Sequence, residues 1–215
     1  MKVKVCGMRD SDNIQELLAV SPDFMGFLFF DKSPRFVGED LDVDLLKSFP
    51  RHVKKVGVFV NASPDYILRN VKKYDLQYVQ LHGSENPEFC RNLRNRGASI
   101  IKAFSVDASF NFSMINNYKP FCDFFLFDAK GDQFGGNGVT FDWSLMNRYD
   151  NEKPFFISGG IGVETVDELQ KLSHLKLYGV DINSRVEVEP GLKDIRQIKA
   201  IIAKLKPVEE EETVA

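Results

Sequence analysis

Three short stretches of the sequence carry side chains that can move protons, and each follows a run of apolar residues. Cys6 ends the alternating run that begins the chain, His82 follows YVQL, and Asp128 follows FFLF. A thiolate is a competent base, and a carboxyl among apolar neighbours tends to keep its proton and to act as an acid. Each residue also has a purely structural interpretation, because unpaired cysteines are usually buried and polar residues commonly end strands. The three residues indicate acid–base chemistry only if the fold brings them together.

Two further stretches have the composition of anion-binding sites. ISGGIGVETV passes from an apolar run through Gly159 and Gly160 into a helical segment, and glycine amides approach a phosphate closely. KSPRF places Arg35 after a proline, and a guanidinium can hold a carboxylate through two parallel hydrogen bonds. From spacing alone, a tight turn and a solvated basic loop explain these two stretches equally well.

Composition limits the class of protein. The 215 residues suffice for one well-cored domain, and 43% hydrophobic with 27% charged residues are typical of a globular chain. A net charge of −3 argues against nucleic acid as the main partner. The charged, alternating start predicts no secretory leader, and no apolar run is long enough to predict a membrane span. Three cysteines and three histidines without metal-like spacing predict free thiols, a cytoplasmic location and no metal site.

The elements that would position these residues alternate along the chain. Apolar runs of strand length are each followed by a helix-like segment, and several are near-continuous in Val, Ile, Leu or Phe, as in parallel strands buried on both faces. Helix starts are predicted at Ser11–Asp12, at Ser63 and at Asn86, the last two before a proline. The predicted strands are 2–8, 24–30, 54–60, 78–83, 99–106, 124–129, 154–160 and 177–184, and further helices are predicted at 42–49, 111–117, 163–174 and 192–206.

Eight strand–helix alternations fit either a closed (β/α)8 barrel or an open doubly wound sheet. The number eight favours the barrel, and no GxGxxG follows the first strand, which weakens the dinucleotide-binding alternative. We therefore predict a single (β/α)8 TIM barrel with parallel strands over residues 1–206, followed by a flexible acidic tail over 207–215. In such barrels the chemistry lies at the carboxyl-terminal ends of the strands, and phosphate sites often follow strands 7 and 8.

Taken together, these stretches resemble the phosphoribosylanthranilate isomerase family of tryptophan biosynthesis. They occur in the family's order and spacing and cover nearly the whole chain apart from the acidic tail. The combination of KVCG, VQLHG, GGNGVTFDW and PGLKD is specific, whereas no single piece would suffice. The segments that carry the resemblance are KVCGMR, MGFLFFDKSPRFV, VGVFVN, VQLHGSE, IKAF, FLFDAKGDQFGGNGVTFDW, ISGGI and VDINSRVEVEPGLKD.

The resemblance implies an aldose–ketose isomerase without a cofactor, which converts N-(5-phosphoribosyl)anthranilate to 1-(2-carboxyphenylamino)-1-deoxyribulose 5-phosphate by an Amadori rearrangement. A strand-1 cysteine is the family's general base and a strand-6 aspartate its general acid, which correspond to Cys6 and Asp128. Arg35 matches the arginine that binds the anthranilate carboxylate, and His82 and Asp181 match recurrent substrate-binding positions. The family's phosphate-binding loops match Gly159, Gly160, Asn183 and Ser184.

The resemblance also sets expectations about the thiol and about partners. An unperturbed cysteine titrates at about 8.5, so a modestly lowered pKa of Cys6 would supply thiolate near neutrality, helped by Lys4 or Arg9. The expected partner is the small phosphorylated sugar–anthranilate substrate, with no nucleic acid and no membrane. A monomer or a homodimer is the expected assembly.

Two departures from the family pattern concern the phosphate site. After strand 8, where serine-serine-glycine is common, the chain has Asn183, Ser184 and Arg185. After Gly160, the usual asparagine-rich helix opening is replaced by residues 161–165. An arginine in place of a glycine restricts the backbone and adds a charge, so we expect the phosphate contact to differ in detail.

Other phosphosugar barrels and a non-catalytic barrel remain as alternatives. An indole-glycerol-phosphate synthase would need a catalytic lysine with glutamates, and Lys102 is the nearest candidate. A ribulose-phosphate epimerase would need paired aspartates with histidine metal ligands. A non-catalytic phosphosugar-binding barrel would still bind its ligand after replacement of both Cys6 and Asp128.

Overall fold

The structure, a computed structural model, describes residues 1–38, 41–129 and 142–206. Eight parallel strands close into a barrel in chain order, with the first strand paired to both the second and the eighth. The predicted (β/α)8 barrel is therefore confirmed, whereas the predicted acidic tail and the GGNGVTF segment lie outside the described residues. The strands are β1 (Lys2–Cys6), β2 (Phe24–Leu28), β3 (Lys54–Phe59), β4 (Tyr78–Leu81), β5 (Ile100–Val106), β6 (Phe124–Ala129), β7 (Phe155–Ser158) and β8 (Leu177–Ile182).

The connections between strands are unequal in their helical content. Within the described residues, an α-helix follows each of β1 to β4 and another follows β8. Short 3-10 helices follow β5, β6 and β7. None of the helices in the described ranges is long and apolar enough to cross a membrane. The α-helices are α1 (Ser11–Ala19), α2 (Val43–Lys47), α3 (Pro64–Tyr74), α4 (Pro87–Asn95) and α5 (Ile195–Leu205), and the 3-10 helices are Phe112–Tyr118, Trp143–Arg148, Val166–Leu172 and Ser184–Val186.

Side-chain caps decide where the first helices begin. Ser63 and Asn86 cap α3 and α4 through hydrogen bonds from backbone amides three residues on, as their position before proline predicts. The cap of α1 is Asp10 rather than the predicted Ser11–Asp12, since its carboxylate accepts a hydrogen bond from the Asn13 amide at 2.8 Å. The helix therefore starts closer to the end of β1 than its apolar pattern indicates.

Several strands are shorter than their apolar patterns predict. β1 ends at Cys6, β7 at Ser158 and β8 at Ile182, so the polar residues beyond them belong to loops. Glycines set two of these ends, because Gly7 has φ +83° and Gly159 has φ +95°, values that an extended strand does not adopt. The loop residues are consequently free to turn across the mouth of the barrel.

Two predicted helices near the carboxyl terminus are wrong in extent. The segment 163–174 forms only the 3-10 helix Val166–Leu172. The segment 192–206 starts its helix only at Ile195, because Leu192–Lys193 is a strand, β10, that pairs antiparallel with Glu187–Glu189, β9. Helical periodicity did not predict this hairpin. Two of its charged side chains, Glu187 and Lys193, lie at the barrel mouth.

Aromatic rings fill the amino-terminal end of the barrel. Phe24 packs edge-to-face on Phe156 with centroids 5.2 Å apart, and Phe124 lies 4.5 Å from Tyr178. Tyr78 completes the cluster through contacts with Phe24 and Phe124. Because these rings close one end of the interior, side chains at the opposite end define the accessible cavity.

Candidate active site

A cavity opens at the carboxyl-terminal end of the barrel. It is lined by residues that end or follow β1 to β4 and β6 to β8. Every residue that the resemblance matches to the family's site lies in this lining, although some are far apart along the chain. They are Cys6, Arg35, His82, Asp128, Gly159, Gly160, Asp181, Asn183 and Ser184.

The Cys6 thiol is held close to the backbone of β2. Cys6 pairs with Gly26 in the register of β1 and β2, and a methyl group on Gly26 would lie 2.7 Å from Cys6 Sγ. Burial raises the pKa of Cys6, the positive charges of Lys4 and Lys193 act against this rise, and the Asp181 carboxylate adds to it. The expectation of a lowered pKa for Cys6 is therefore wrong, because burial outweighs the neighbouring ammonium groups.

A buried ion pair lies directly below the thiol. Lys4 Nζ and Asp181 Oδ1 are 2.8 Å apart, with side chains 0% and 4% exposed. Burial alone would lower the pKa of Lys4, but the charges of Asp181 and Cys6 outweigh it and the net shift is upward. Lys4 therefore carries the positive charge next to Cys6, whereas the exposed Arg9 donates to the carbonyl of Pro34 instead.

Asp128 faces an imidazole across the cavity. His82 Nε2 lies 3.3 Å from Asp128 Oδ2, and His82 Nδ1 lies 2.9 Å from the side-chain nitrogen of Gln80. Because an amide nitrogen only donates, Nδ1 is the acceptor in this contact, and Nε2, which faces Asp128, has no hydrogen-bond partner among the described residues. Gln80 also belongs to the polar end of β4 that the sequence indicates, and its position two residues before His82 puts both on one side of the chain.

The first glycine after β7 lies against the strand that carries Asp128. A methyl group on Gly159 would lie 2.7 Å from the Ala129 side chain and 3.3 Å from Asp128 Oδ1. The helix predicted behind the glycines that follow β7 is of the 3-10 type and starts only at Val166, so its dipole contributes little next to them. Thr165 supports the intervening turn by donating to the carbonyl of Gly160 at 3.0 Å.

The carboxylate of Glu187, which the sequence did not indicate as a site residue, holds Arg35 in place. Arg35 Nε lies 2.9 Å from Glu187 Oε1 and Arg35 Nη2 lies 2.7 Å from Glu187 Oε2, so the pair is bidentate. Burial would raise the pKa of Glu187, but the hydrogen bond from Arg35 and the charge of Lys193 outweigh it and lower the pKa. The guanidinium fork is thus fixed at the cavity wall before any ligand arrives.

Lys193, also missed, joins this ion pair to the end of β8. Its Nζ lies 2.5 Å from Glu187 Oε1 and 2.6 Å from Asn183 Oδ1. Burial lowers the pKa of Lys193 to about 8, although Glu187 and Cys6 oppose the shift. The signal for both missed residues was the segment EVEPGLKD, whose proline and glycine mark a turn between Glu187 and Lys193.

Gly7 is the point where these groups meet. A methyl group there would lie 2.7 Å from Asn183 Oδ1 and 2.8 Å from Arg35 Cδ. Together with its φ of +83°, this crowding requires glycine directly after Cys6. The glycine therefore lets Arg35 and Asn183 approach the thiol closely.

We expect the charge of Lys193 to set the pH dependence of the reaction if Cys6 is the base. The thiolate is the reactive form and burial raises the pKa of Cys6, so kcat/KM should rise with pH. In Lys193→Met, kcat/KM should be severalfold lower below pH 8. The difference should close above that pH, because Lys193 itself, with a pKa of about 8, then loses its charge in the parent.

The measurement is a pair of kcat/KM profiles against pH for the parent and Lys193→Met. Lys199→Met is the matched control, because Lys199 is an exposed lysine of α5. A difference in kcat/KM between the parent and Lys193→Met that is the same at every pH would show that Lys193 acts through packing rather than through its charge near Cys6.

The alternative barrels find little support around the cavity. Lys102 is buried in an ion pair with Glu85 at 3.0 Å and donates to the carbonyl of Gly83 at 2.8 Å, so it does not line the cavity. Within residues 1–38, 41–129 and 142–206, no three His, Cys, Asp or Glu side chains are grouped as a metal site. Neither the catalytic lysine of a synthase nor the ligand set of an epimerase is therefore recognisable there.

The fold and the site define a class of protein. A closed parallel barrel with a thiol, a carboxyl, an imidazole and a guanidinium converging at its carboxyl-terminal mouth is typical of a barrel enzyme that acts on a small anionic molecule. The family model of N-(5'-phosphoribosyl)anthranilate (PRA) isomerase matches residues 3–204. The chain belongs to the phosphoribosylanthranilate isomerase family.

Individual relatives agree with this assignment over almost the whole chain. The isomerase of Parabacteroides distasonis is 41% identical over 206 residues, which are 95% of this chain and 93% of that protein. A structure of monomers generated from the dimeric Thermotoga maritima isomerase has a TM-score of 0.81 at 31% identity, covering 97% of this chain and 100% of the other. An isomerase in complex with reduced 1-(o-carboxyphenylamino)-1-deoxyribulose 5-phosphate gives the same TM-score, identity and coverage: 0.81, 31%, 97% and 100%.

Proposed function

We propose that Cys6 is the general base and Asp128 the general acid with which this chain carries out its family's reaction. That reaction is the Amadori rearrangement of N-(5-phosphoribosyl)anthranilate to 1-(2-carboxyphenylamino)-1-deoxyribulose 5-phosphate in tryptophan biosynthesis. The observation that carries the assignment is that the thiol and the carboxyl line one cavity together with Arg35. The chain is an isomerase, and its reaction moves protons within one substrate.

The reaction begins with protonation of the ribose ring oxygen. Asp128 delivers this proton while the bond between C1 and the ring oxygen breaks, and the anilino nitrogen supplies the electron pair that makes the open chain an iminium. The imidazole of His82, whose Nε2 lies 3.3 Å from Asp128 Oδ2, faces the carboxylate that remains and stabilises its charge. The ring-opening step thus uses the polar pair at the ends of β4 and β6.

The second step is removal of the proton from C2. The iminium withdraws electrons from the neighbouring carbon, so the Cys6 thiolate can take this proton while the C–H electrons form the C1–C2 double bond of an enolamine. Ketonisation then places a proton on C1 and leaves the carbonyl at C2. Lys4 and Lys193 favour the thiolate electrostatically, which offsets part of the cost of its burial.

Arg35 binds the anthranilate carboxylate in this proposal. Its Nε and Nη2 face Glu187, so Nη1 is the nitrogen directed to the substrate. The ion pair with Glu187 keeps the guanidinium from folding away, which reduces the entropy lost on binding. Asp181 lines the same cavity, and its match to a substrate-binding position of the family supports a contact with the substrate.

We assign the phosphate of the substrate to the loops after β7 and β8. Gly160 has φ +68° and Ser184 begins a 3-10 turn, an arrangement that favours backbone amides directed toward one anion. Asn183 takes part through its backbone, since its side-chain oxygen accepts a hydrogen bond from Lys193 at 2.6 Å. Gly159 keeps the turn narrow enough to bring this anion near Asp128.

We also infer a cytoplasmic location and a monomer or homodimer as the assembly. The thiols of Cys6, Cys90 and Cys122 are all free, which fits a reducing compartment. The dimer described for the Thermotoga maritima relative supports the larger of the two assemblies. Sedimentation of the purified chain distinguishes them, and a species larger than a dimer would contradict the inference.

The direct test is the loss of fluorescence of freshly generated phosphoribosylanthranilate when the purified chain is added. We expect rapid turnover. The mass of the product, before and after reduction of its ketone, should match that of 1-(2-carboxyphenylamino)-1-deoxyribulose 5-phosphate. A folded chain that binds the product analogue but leaves the fluorescence unchanged would instead indicate a non-catalytic phosphosugar-binding barrel.

A further inference from the structure

The described lining of the cavity contains two arginines, and the substrate carries two anionic groups. Arg35 is assigned above to the anthranilate carboxylate, where Glu187 holds it. Arg185 lines the same cavity beside Gly160 and Ser184, the residues assigned to the phosphate. Arg185, the second cationic side chain, is thus next to the site proposed for the phosphate, the second anionic group.

Arg185 bridges the two loops of the phosphate site through a weak ion pair. It lies in the 3-10 turn after β8, and its Nη1 is 3.6 Å from Oε1 of Glu164 in the loop after β7. The two side chains are 40% and 62% exposed. An exposed ion pair at this distance contributes little stability, so a phosphate can compete with the Glu164 carboxylate for the guanidinium.

The local backbone supplies little positive charge to the phosphate site, so the side chain of Arg185 can supply it. The helix behind Gly160 is short, of the 3-10 type and begins only at Val166, which leaves little helix dipole at the phosphate. Arg185 does not adopt a positive φ, so the turn does not need the glycine that is common at this position in the family. A guanidinium can replace the missing positive end of a helix, because its fork matches phosphate oxygens.

We propose that Arg185 binds the phosphate of the substrate through its side chain and that Glu164 holds the guanidinium over the empty site. This inference rests on the phosphate site proposed above at Gly160 and Ser184. On binding, the phosphate displaces the Glu164 carboxylate, so removal of Glu164 strengthens the anion site and removal of Arg185 weakens it.

The test measures competitive inhibition of the isomerase by inorganic phosphate, together with KM and kcat. For Arg185→Met, the inhibition constant and KM should rise about tenfold, the loss expected for one charge-assisted hydrogen bond, while kcat changes less than KM. Arg185→Lys should recover part of this affinity. Glu164→Gln should lower the inhibition constant about twofold to threefold, because a weak competitor is removed.

Arg91→Met is the matched control, because Arg91 forms an exposed ion pair with Glu88 on α4, away from the cavity. Phosphate inhibition that is competitive in the parent but equally strong in Arg185→Met would overturn the role of Arg185 and leave the backbone site standing. Phosphate that does not compete with the substrate in the parent would overturn the phosphate site and the role of Arg185 together. Glu164→Gln with weaker phosphate binding would overturn the proposed competition.

Discussion

Asp128→Asn and Cys6→Ala are each expected to lower kcat by a factor of about 10² to 10⁴, the contribution of one positioned acid or base. Asparagine keeps the shape of the Asp128 side chain and its place beside His82 but has no proton to deliver to the ring oxygen. Alanine at position 6 removes the thiol from the space against Gly26. KM should change far less, because neither group is proposed to bind a charged part of the substrate.

Steady-state turnover of phosphoribosylanthranilate measures both losses. Cys122→Ala and Asp65→Asn are the controls, since Cys122 precedes β6 at the opposite end of the barrel and Asp65 lies on the exposed surface of α3. Both controls should keep the turnover of the parent. Persistent turnover in Cys6→Ala would move the base to another group and leave Cys6 as a core residue. Persistent turnover in Asp128→Asn would point to His82 as the acid.

The double variant separates catalysis from binding. If Cys6 and Asp128 act in consecutive steps of one reaction, the combined replacement should lose turnover completely and still bind the reduced product analogue. Calorimetric titration with that analogue measures the remaining affinity. A double variant that no longer binds would show that the replacements disturb the cavity rather than only the chemistry.

Asp181→Ala is expected to destabilise the fold by about 3–5 kcal/mol, because it leaves the Lys4 charge buried without a partner. Both side chains are almost fully buried and their charged atoms are 2.8 Å apart, so loss of the carboxylate leaves the Lys4 charge poorly solvated. Urea unfolding followed by circular dichroism gives the free energy of unfolding. The double replacement Lys4→Met with Asp181→Leu should recover most of that loss, since no buried charge remains.

The exposed Arg91 provides the comparison for this ion pair. Arg91→Ala breaks a surface pair with Glu88 and should change the free energy of unfolding by only about 0.5 kcal/mol or less. If Asp181→Ala were as mild as Arg91→Ala, Lys4 would be neutral in the folded chain. It could then not favour the thiolate of Cys6.

The sequence predicted the order of the strands and the polar residues near their carboxyl-terminal ends better than it predicted the exact strand boundaries. Alternation with a period of two places Cys6 and Lys4 on one side of β1, and Gln80 and His82 on one side of the chain at β4. In a closed parallel barrel all carboxyl-terminal strand ends meet at one mouth, so residues marked by their position after a strand had to converge. That rule is sufficient to explain why the residues matched to the family's site line the same cavity.

The partners of these residues could not be predicted in the same way. Lys4 meets Asp181 across 177 positions of the chain, and Arg35 meets Glu187 across 152. No local pattern records such distances, because they depend on how the barrel closes and on the hairpin of β9 and β10. Helical periodicity even assigned Lys193 to a helix, whereas the turn before it directs its ammonium to the cavity.

The sequence by itself determined the barrel, the end of the barrel that carries the chemistry, and the residue types present there, because strand periodicity and motif order are local properties of the chain. Only the tertiary structure decided the ionisation of the thiol. The pKa of Cys6 depends on its burial and on the charges of Lys4, Lys193 and Asp181, whose positions follow from closure of the barrel. Burial is a property of the packed whole, so the direction of that shift could not be obtained from neighbours in the chain.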